Sequence, residues 1–156
     1  MALRKRIAAT ISVREALPSD DWIDLEGLAE AEATSEDPNH PLEAALLPGQ
    51  RNEWRASEEG RQTIRIFFDK PQDLCLIHVA FEEGRLSRTQ EFVLRVGSDP
   101  DAPFQEIVRQ QYNFSPVSSE VEDYQVNLLA VRVLELEIIP LISGGGIASP
   151  TELRLR

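Results

Sequence analysis

QTIRIFFDKPQDLCLIHVAF, residues 62–81, is the segment that decides the fold. In its first half, Ile64, Ile66 and Phe68 point to one side of an extended chain, which is the period-two pattern of a strand with one buried face. Its second half, residues 74–81, is apolar at nearly every position, as expected of a central strand in a sandwich. The letters KPQD between the halves predict a turn. The segment therefore predicts two β-strands.

Similar runs continue the β pattern along the rest of the chain. They cover residues 7–13, 24–33, 91–96, 104–116, 121–140 and 151–156. Residues 91–96 are expected to form a hairpin with residues 74–81. A helix remains an alternative for 24–33, which is rich in Ala and Glu, and for 104–112, where aromatic and β-branched residues favour a strand.

About eight strands separated by turn-rich loops predict an all-β fold, an antiparallel jelly-roll β-sandwich. PLEAALLPG, residues 41–49, predicts one short helical segment that begins near Pro41 and ends at Pro48. ISGGGIASP, residues 142–150, is expected to be a flexible loop. The 156 residues fit a single domain, 1–156.

Composition and charge exclude several classes of protein. Hydrophobic residues make up 42% and charged residues 28%, which is typical of a folded chain. Twenty-seven acidic residues against sixteen basic ones give a net charge of −11, which would repel a nucleic-acid backbone. No stretch approaches the ~20 apolar residues of a membrane helix, and polar residues interrupt the N-terminal run too early for a secretory signal. We therefore expect a cytoplasmic protein that binds neither nucleic acid nor membrane.

Catalytic motifs are sparse. Cys75 is the only cysteine, so no internal disulfide and no cysteine-based zinc cluster can form, and in its apolar strand the thiol is expected to be inert. His40 and His78 are the only histidines, and Cys75 and His78 lie three positions apart on a strand, so they point to opposite faces. Acidic pairs such as Glu135 and Glu137 fit a solvated strand face. The sequence therefore predicts that the protein is not an enzyme.

Several short motifs resemble one known family. LLPGQRNEWRASEEGRQTIRIFFDKPQDLCLIHVAFEEG and TQEFVLRVGS, with the closing ASPTELRLR, resemble the galactose-binding-domain-like superfamily, the jelly-roll modules that include discoidin and coagulation-factor C domains. The resemblance covers residues 26–100 and the last strand. Within that superfamily, WRASEEGRQTI is similar to the N-terminal domain of the X-ray repair cross-complementing scaffold protein.

The resemblance implies a structural tryptophan and a metal loop. In this superfamily the tryptophan of the entry turn packs against the sandwich core, and Trp54 occupies that position. The preceding loop often holds a structural calcium ion, but the Asp-Gly turn of the family corresponds here to Pro48 and Gly49. Oxygen ligands for calcium are available nearby on Glu36, Asp37, Asn39 and Glu43. No other cofactor is expected.

Six residues are candidates for ligand recognition: Trp22, Arg85, Arg88, Arg109, Gln111 and Tyr112. Sugars are typically held by an aromatic platform together with planar polar side chains that make paired hydrogen bonds. If residues 108–114 form a strand, Arg109, Gln111 and Asn113 share one face as a polar stripe. A solvated sheet face is the alternative for this stripe, and a cap on the core is the alternative for Trp22.

These features predict a non-catalytic binding module for a carbohydrate-like ligand, bound by loops at one end of the sandwich or by the Arg109 stripe. The alternative is a protein-interaction or scaffold module related to the N-terminal domain of the DNA-repair scaffold. In that case an exposed strand would dock a partner, or a second copy in a homo-oligomer.

Overall fold

The computed structural model describes residues 22–49 and 53–156. In chain order, the elements of these residues are α1 (Leu25–Leu28), β1 (Ala29–Ala33), α2 (Glu43–Leu46), β2 (Gln62–Glu83), β3 (Arg88–Gly97), β4 (Gln105–Phe114), β5 (Ser118–Ile139) and β6 (Pro150–Leu155). The strand predicted at 7–13 lies outside the described residues. Neither of the two helices in this part of the chain has the length and apolarity to span a membrane.

Two long strands, β2 and β5, belong to both layers of the sandwich. Their halves that contain residues 62–68 and 133–138 pair in a five-stranded layer of order β1-β2-β5-β3-β4. Their other halves, residues 74–83 and 118–128, form a three-stranded layer with β6 on the far side of β2. All these pairings are antiparallel, so the predicted all-β jelly-roll sandwich is confirmed. Six strands are described, because the runs at 62–68 and 74–81 form one long strand and the run at 7–13 lies outside the described residues.

The corner where β2 and β5 pass between layers replaces the turn expected at KPQD. The chain stays extended there, and the register between the two strands shifts three times between Phe67 and Leu76. Pro71 fits this corner because residues 69–71 have no partner in β5, so its missing N–H costs no ladder hydrogen bond. The expected turn was wrong because β-bulges bend a strand without ending it.

Side chains hold this corner in place. Ala130 adopts a left-handed backbone with φ of 55°, and its N–H donates to Asp73 Oδ1 at 2.9 Å. Arg132 Nε donates to the carbonyl of Phe68 at 3.0 Å. The same irregularity leaves Cys75 exposed, whereas the apolar run had suggested an enclosed thiol.

The hairpin expected between residues 74–81 and 91–96 is also wrong. β3 pairs with β4 and β5, and not with β2. The two segments instead face each other across the sandwich, where the ring centroids of Phe81 and Phe92 lie 5.6 Å apart. The loop after β2 therefore crosses from one layer to the other, which an apolar pattern cannot distinguish from a tight hairpin.

Trp54 lies in the core, as predicted. Its side chain is fully buried, and its indole Nε1 donates to the carbonyl of Ser35 at 3.1 Å. Its backbone N–H donates to the carbonyl of Pro150 at 3.2 Å, so the segment is also tied to the last strand. The buried cluster around it includes Ile64, Ile66, Phe68, Leu134, Leu136 and Ile138.

The short elements agree with the sequence except in one place. α2 lies within the predicted helical segment 41–49, and β4 confirms a strand at 104–116. Residues 24–33, expected to be extended, begin with the single helical turn α1, whose first turn is capped by Asp24 Oδ1 accepting from Glu26 N–H at 3.2 Å. The capping carboxylate favours this turn over continued extension.

Candidate ligand-binding site

Three loops meet at one end of the sandwich, which we call the open end. They are the β2–β3 loop (84–87), the β4–β5 turn (115–117) and the β5–β6 loop (140–149). The ladder pairs Glu83 with Ser118 and Arg88 with Phe114, which places the first two loops side by side. The opposite end is crossed by the continuous strands β2 and β5, so the open end has the greater freedom to vary its loops.

A cleft of about 370 Å³ lies at the open end. Its lining residues are Glu82, Glu83, Gly84, Val117, Ser118 and Ser119. Glu82 and Ser119 are directly opposite each other in the β2–β5 ladder, and both are exposed. Within residues 22–49 and 53–156, neither the Glu82 carboxylate nor the Ser119 hydroxyl has a hydrogen-bond or ionic partner.

Glu83 shapes the β2–β3 loop from within the cleft. Its Oε2 accepts from the N–H groups of Arg85 at 3.0 Å and Leu86 at 3.2 Å, and its Oε1 accepts from Arg88 Nε at 2.6 Å. Burial opposes ionisation, but the hydrogen bonds from Arg85, Arg88 and Leu86 together lower the pKa of this carboxyl below its usual value. Glu83 therefore stays charged and holds the loop.

Arg88 ties three parts of the open end together. Its side chain is 7% exposed, and Nη1 donates to Gln90 Oε1 at 2.9 Å and to the Pro140 carbonyl at 2.7 Å. Its guanidinium carbon lies 4.4 Å from the centroid of the Phe114 ring, which adds a cation–π contact. Arg88 thus positions the loops around the cleft, with its donors directed at protein atoms.

The rim of the cleft is apolar and strained at one residue. Val117 is 86% exposed and has φ of 56°, which a β-branched residue rarely adopts. Leu86 and Ile142 are also more than half exposed on neighbouring loops. Exposed apolar groups and strained backbone concentrate at binding sites.

The structure separates the six predicted recognition residues into two groups. Arg85 and Arg88 lie at the open end, and Tyr112 reaches it from inside, because its hydroxyl donates to the Ser119 carbonyl at 3.2 Å. Arg109 and Gln111 lie instead on the outer face of the five-stranded layer. Their roles in binding, and that of Trp22, stay predictions.

Trp22 lies on the outer face of the three-stranded layer. Its ring centroid is 5.8 Å from that of His78, and the two ring nitrogens of His78 lie 2.7 Å from Asp123 Oδ1 and 2.8 Å from Glu152 Oε2. The half-buried indole packs beside a hydrogen-bonded histidine.

The Arg109 stripe exists, and much of it is engaged within the sheet. Arg109, Gln111 and Asn113 share an exposed face, as predicted. Arg109 pairs with Glu106 at 2.7 Å and with Glu91 at 3.2 Å. A ladder of alternating charges continues across the same face, formed by Glu32, Arg65, Glu135, Arg95, Glu137 and Arg61. Most charged side chains on this face are therefore paired with one another.

The carboxylates named as calcium ligands make local hydrogen bonds, and calcium binding there stays a prediction. Glu36 Oε2 accepts from Leu42 N–H at 2.7 Å, and Asp37 Oδ1 accepts from Asn39 N–H at 2.9 Å. Each carboxylate thus caps a local turn. Across the part of the chain that the structure describes, no three histidine, cysteine or acidic side chains come together as metal ligands.

Sequence reasoning missed Glu82, Val117 and Ser119. Glu82 and Ser119 belong to different strands, and only the register of β2 against β5 brings them together. The positive φ of Val117 could not be predicted from its residue type, because glycine or asparagine is the usual residue in that conformation. The one available hint was Pro116, which marks a turn immediately before Val117.

Comparison with known proteins identifies the fold. No protein-family model and no curated protein matches the chain. Among solved structures, the family 32 carbohydrate-binding module of Clostridium perfringens NanJ, in complex with galactose, has a TM-score of 0.60 at 18% identity over 86% of this chain and 96% of that one. A pectin-binding carbohydrate-binding module has a TM-score of 0.63 at 14% identity over 83% and 90%.

A third neighbour is the family 32 module of AlyQ in complex with 4,5-unsaturated mannuronic acid, with a TM-score of 0.58 at 22% identity over 83% of this chain and 95% of that one. The chain therefore has the same jelly-roll sandwich fold as these modules. The narrower similarity to the repair scaffold stays a prediction.

Proposed function

We propose that this protein is a non-catalytic carbohydrate-binding module whose ligand binds in the cleft at the open end. The observation that carries this proposal is the shared fold, which spans 90% or more of three carbohydrate-binding modules. Two of those modules were solved with a sugar bound. The cleft supplies a place for such a ligand in this chain.

The chemistry around the cleft suits a sugar. The Glu82 carboxylate accepts hydrogen bonds, the Arg85 guanidinium donates them, and the Ser119 hydroxyl does both. Val117 and Leu86 offer apolar surface to the C–H face of a pyranose ring. Small-molecule sites combine an apolar wall with a few polar groups in this way, and the cleft volume of about 370 Å³ lies in their usual range.

Charge favours a neutral sugar over an acidic one. The cleft contains two glutamates, and the whole chain carries a net charge of −11. A uronic acid would be repelled by this field, whereas a hexose with only hydroxyl groups would not. We therefore expect a galactose-type neutral sugar to bind more tightly than galacturonic acid.

A glycan array followed by calorimetry tests the proposal. Wild-type protein is expected to bind neutral glycans on the array, and the best of them is then titrated into E82Q and R85A. Each variant should lose roughly tenfold in affinity, because a buried sugar hydroxyl loses its partner. The matched controls are D101N and K70A, which change exposed charges at the opposite end and should bind as wild type does.

The outcomes separate the function from its site. Absence of binding to every glycan on the array would remove the carbohydrate function. Array binding that E82Q and R85A leave unchanged would keep the function and move the site elsewhere, with the Arg109 stripe next to be tested.

One observation favours the alternative function, which is protein docking. β4 is an edge strand of the five-stranded layer, because β3 is its one ladder partner among the described residues. A free edge can accept a strand from a partner or from a second copy. Light scattering that shows a concentration-dependent dimer, abolished by proline at Gln111, would support this alternative, whereas a monomer at all concentrations would count against self-association.

A further inference from the structure

A buried polar cluster lies between the two layers, apart from the ligand cleft. Glu120, on the inner face of β5, is 2% exposed, and neither carboxyl oxygen has a hydrogen-bond partner among the described residues. Gln90, on β3 in the facing layer, is fully buried, and its Nε2 also lacks an acceptor in that part of the chain. Such unsatisfied groups are rare in folded proteins, so they call for an explanation.

A second carboxyl lies beside Glu120. Glu122 is two residues further along β5, so both side chains project from the same face of the strand. Burial first, and then the charge of the neighbouring Glu122, raise the pKa of Glu120 to about 7, while Gln90 and Arg88 act in the opposite direction. Tyr124 follows two residues later on the same face of β5, and burial first, then the charges of Glu122 and Glu120, raise the pKa of its hydroxyl.

The gap next to this cluster is closed by side chains alone. β4 is the edge of one layer, and the first half of β5 is the edge of the other, with no ladder between them in the described residues. Two tyrosines bridge the gap in opposite directions. Tyr112 of β4 donates to the Ser119 carbonyl at 3.2 Å, and Tyr124 of β5 donates to Gln110 Oε1 at 3.4 Å.

We propose that Glu120 and Glu122 form a proton-controlled latch on the gap between β4 and β5. While the pair holds a proton, the Glu120 O–H donates to Glu122, and the Tyr124 hydroxyl stays on Gln110. When the proton leaves, two carboxylates stand side by side and Tyr124 turns to them, because a charged acceptor makes the stronger hydrogen bond. The bridge from Tyr124 to β4 is then lost.

The charged groups around the latch come from four strands. They are Glu122 and Tyr124 on β5, Arg88 on β3, Glu83 on β2, which is paired with Arg88, and Tyr112 on β4. Arg88 is held by Glu83, Gln90 and Pro140, so it is not free to move onto the ionised Glu120. The latch needs no ligand, and it stands or falls independently of carbohydrate binding.

Hydrogen–deuterium exchange of the intact chain tests the latch. Exchange of residues 107–114, corrected for the intrinsic effect of pH, should be about fivefold faster at about pH 8.5 than at about pH 5.5. E120Q, which is isosteric and cannot ionise, should show no such difference. Y124F should exchange at the faster rate at both pH values. E106Q, which removes an exposed carboxylate from β4 itself, should respond as wild type does.

A nuclear magnetic resonance titration of the Glu120 carboxyl provides a second measurement. In E122Q the midpoint should fall, because the neighbouring negative charge and acceptor are gone. The latch is refuted if wild-type exchange does not depend on pH, if E120Q responds to pH as wild type does, or if the midpoint does not fall in E122Q. Should E120Q fail to fold, Y124F and E122Q still decide the matter.

Discussion

The two halves of the sandwich interior differ in chemistry. Around Trp54 most buried side chains are apolar, the indole N–H has its acceptor on Ser35, and the buried Gln62 accepts from the hydroxyls of Thr34 and Ser35. Between β4 and the first half of β5, at similar depth, Gln90 and Glu120 carry polar atoms without partners in the described chain. We call these regions the dry half and the polar half.

This contrast indicates a division of labour. Burial of apolar area supplies most of the free energy of folding, so the dry half can hold the sandwich together. A fold stabilised in this way tolerates unsatisfied groups elsewhere, and such groups usually serve a function. Changes in the dry half should therefore alter stability, whereas changes in the polar half should alter its response to pH.

The largest expected effect comes from breaking the dry half. Replacing Trp54 with alanine should lower the free energy of unfolding by about 3–5 kcal/mol, because it leaves a cavity and an unpaired Ser35 carbonyl. Urea unfolding measures the change. W54F keeps most of the ring volume and should lose clearly less. A loss under about 1 kcal/mol in W54A would mean that the dry half does not carry the stability.

The next effect concerns Glu120 and pH. Its pKa is about 7 in the folded chain against a usual value of 4.5, so the folded state holds an extra proton between these pH values. The free energy of unfolding of wild type therefore falls as pH rises through that window, and it stays lower above it. E120Q lacks this titration, so its stability relative to wild type should rise by up to roughly 3 kcal/mol between pH 4 and pH 8.

Urea unfolding of both proteins across that pH range checks this prediction. E106Q is the control, because its carboxylate is exposed and should leave the pH profile of stability close to that of wild type. A difference between E120Q and wild type that is constant with pH would show that Glu120 does not titrate in this window.

A smaller loss of stability is expected from the paired charges on the outer face of the five-stranded layer. Glu135 lies between Arg65 and Arg95 on the outer face, and its side chain is 9% exposed. E135A should cost about 1–2 kcal/mol, because two arginines lose a shared, partly enclosed partner. E32A, at the exposed end of the same ladder, should cost no more than about 0.5 kcal/mol. Equal losses in the two variants, measured by urea unfolding, would contradict the ladder description.

The smallest effect is expected from the hydrogen bond that Tyr112 makes across the gap between β4 and β5. Y112F removes one exposed hydrogen bond to the Ser119 carbonyl, so the free energy of unfolding should fall by only about 0.5 kcal/mol. Local exchange of residues 118–121 should nevertheless increase. A loss above about 2 kcal/mol would instead mean that Tyr112 contributes to stability as much as the core residues of the dry half do.

Much of the architecture could be predicted from the sequence because apolar periodicity reports burial directly. The alternation at Ile64, Ile66 and Phe68 correctly predicted a strand, and the resemblance correctly predicted that Trp54 lies in the core. Pairing could not be predicted in the same way. The runs at 74–81 and 91–96 are apolar because they face each other, and the same pattern would arise from a hairpin.

The site was harder to predict than the fold. Its candidate groups are a glutamate, a serine and a strained valine at the ends of different strands, none of which is unusual as a residue type. Their proximity follows from the register of β2 against β5, which residue types alone do not specify. Arg85 could be named as a candidate from the sequence, because it follows Gly84 in a segment that is clearly a loop.

The continuity of β2 and β5 bears on how the chain folds. The nearest contact of their ladder along the sequence joins Glu83 to Ser118, and the most distant joins Gln62 to Ile138. Since closing a short loop costs less entropy than closing a long one, pairing of β2 with β5 should begin at the open end and continue round the corner into the second layer. Nucleation would then depend on the loops of the open end, and folding should be slow, as it is for chains dominated by distant pairings.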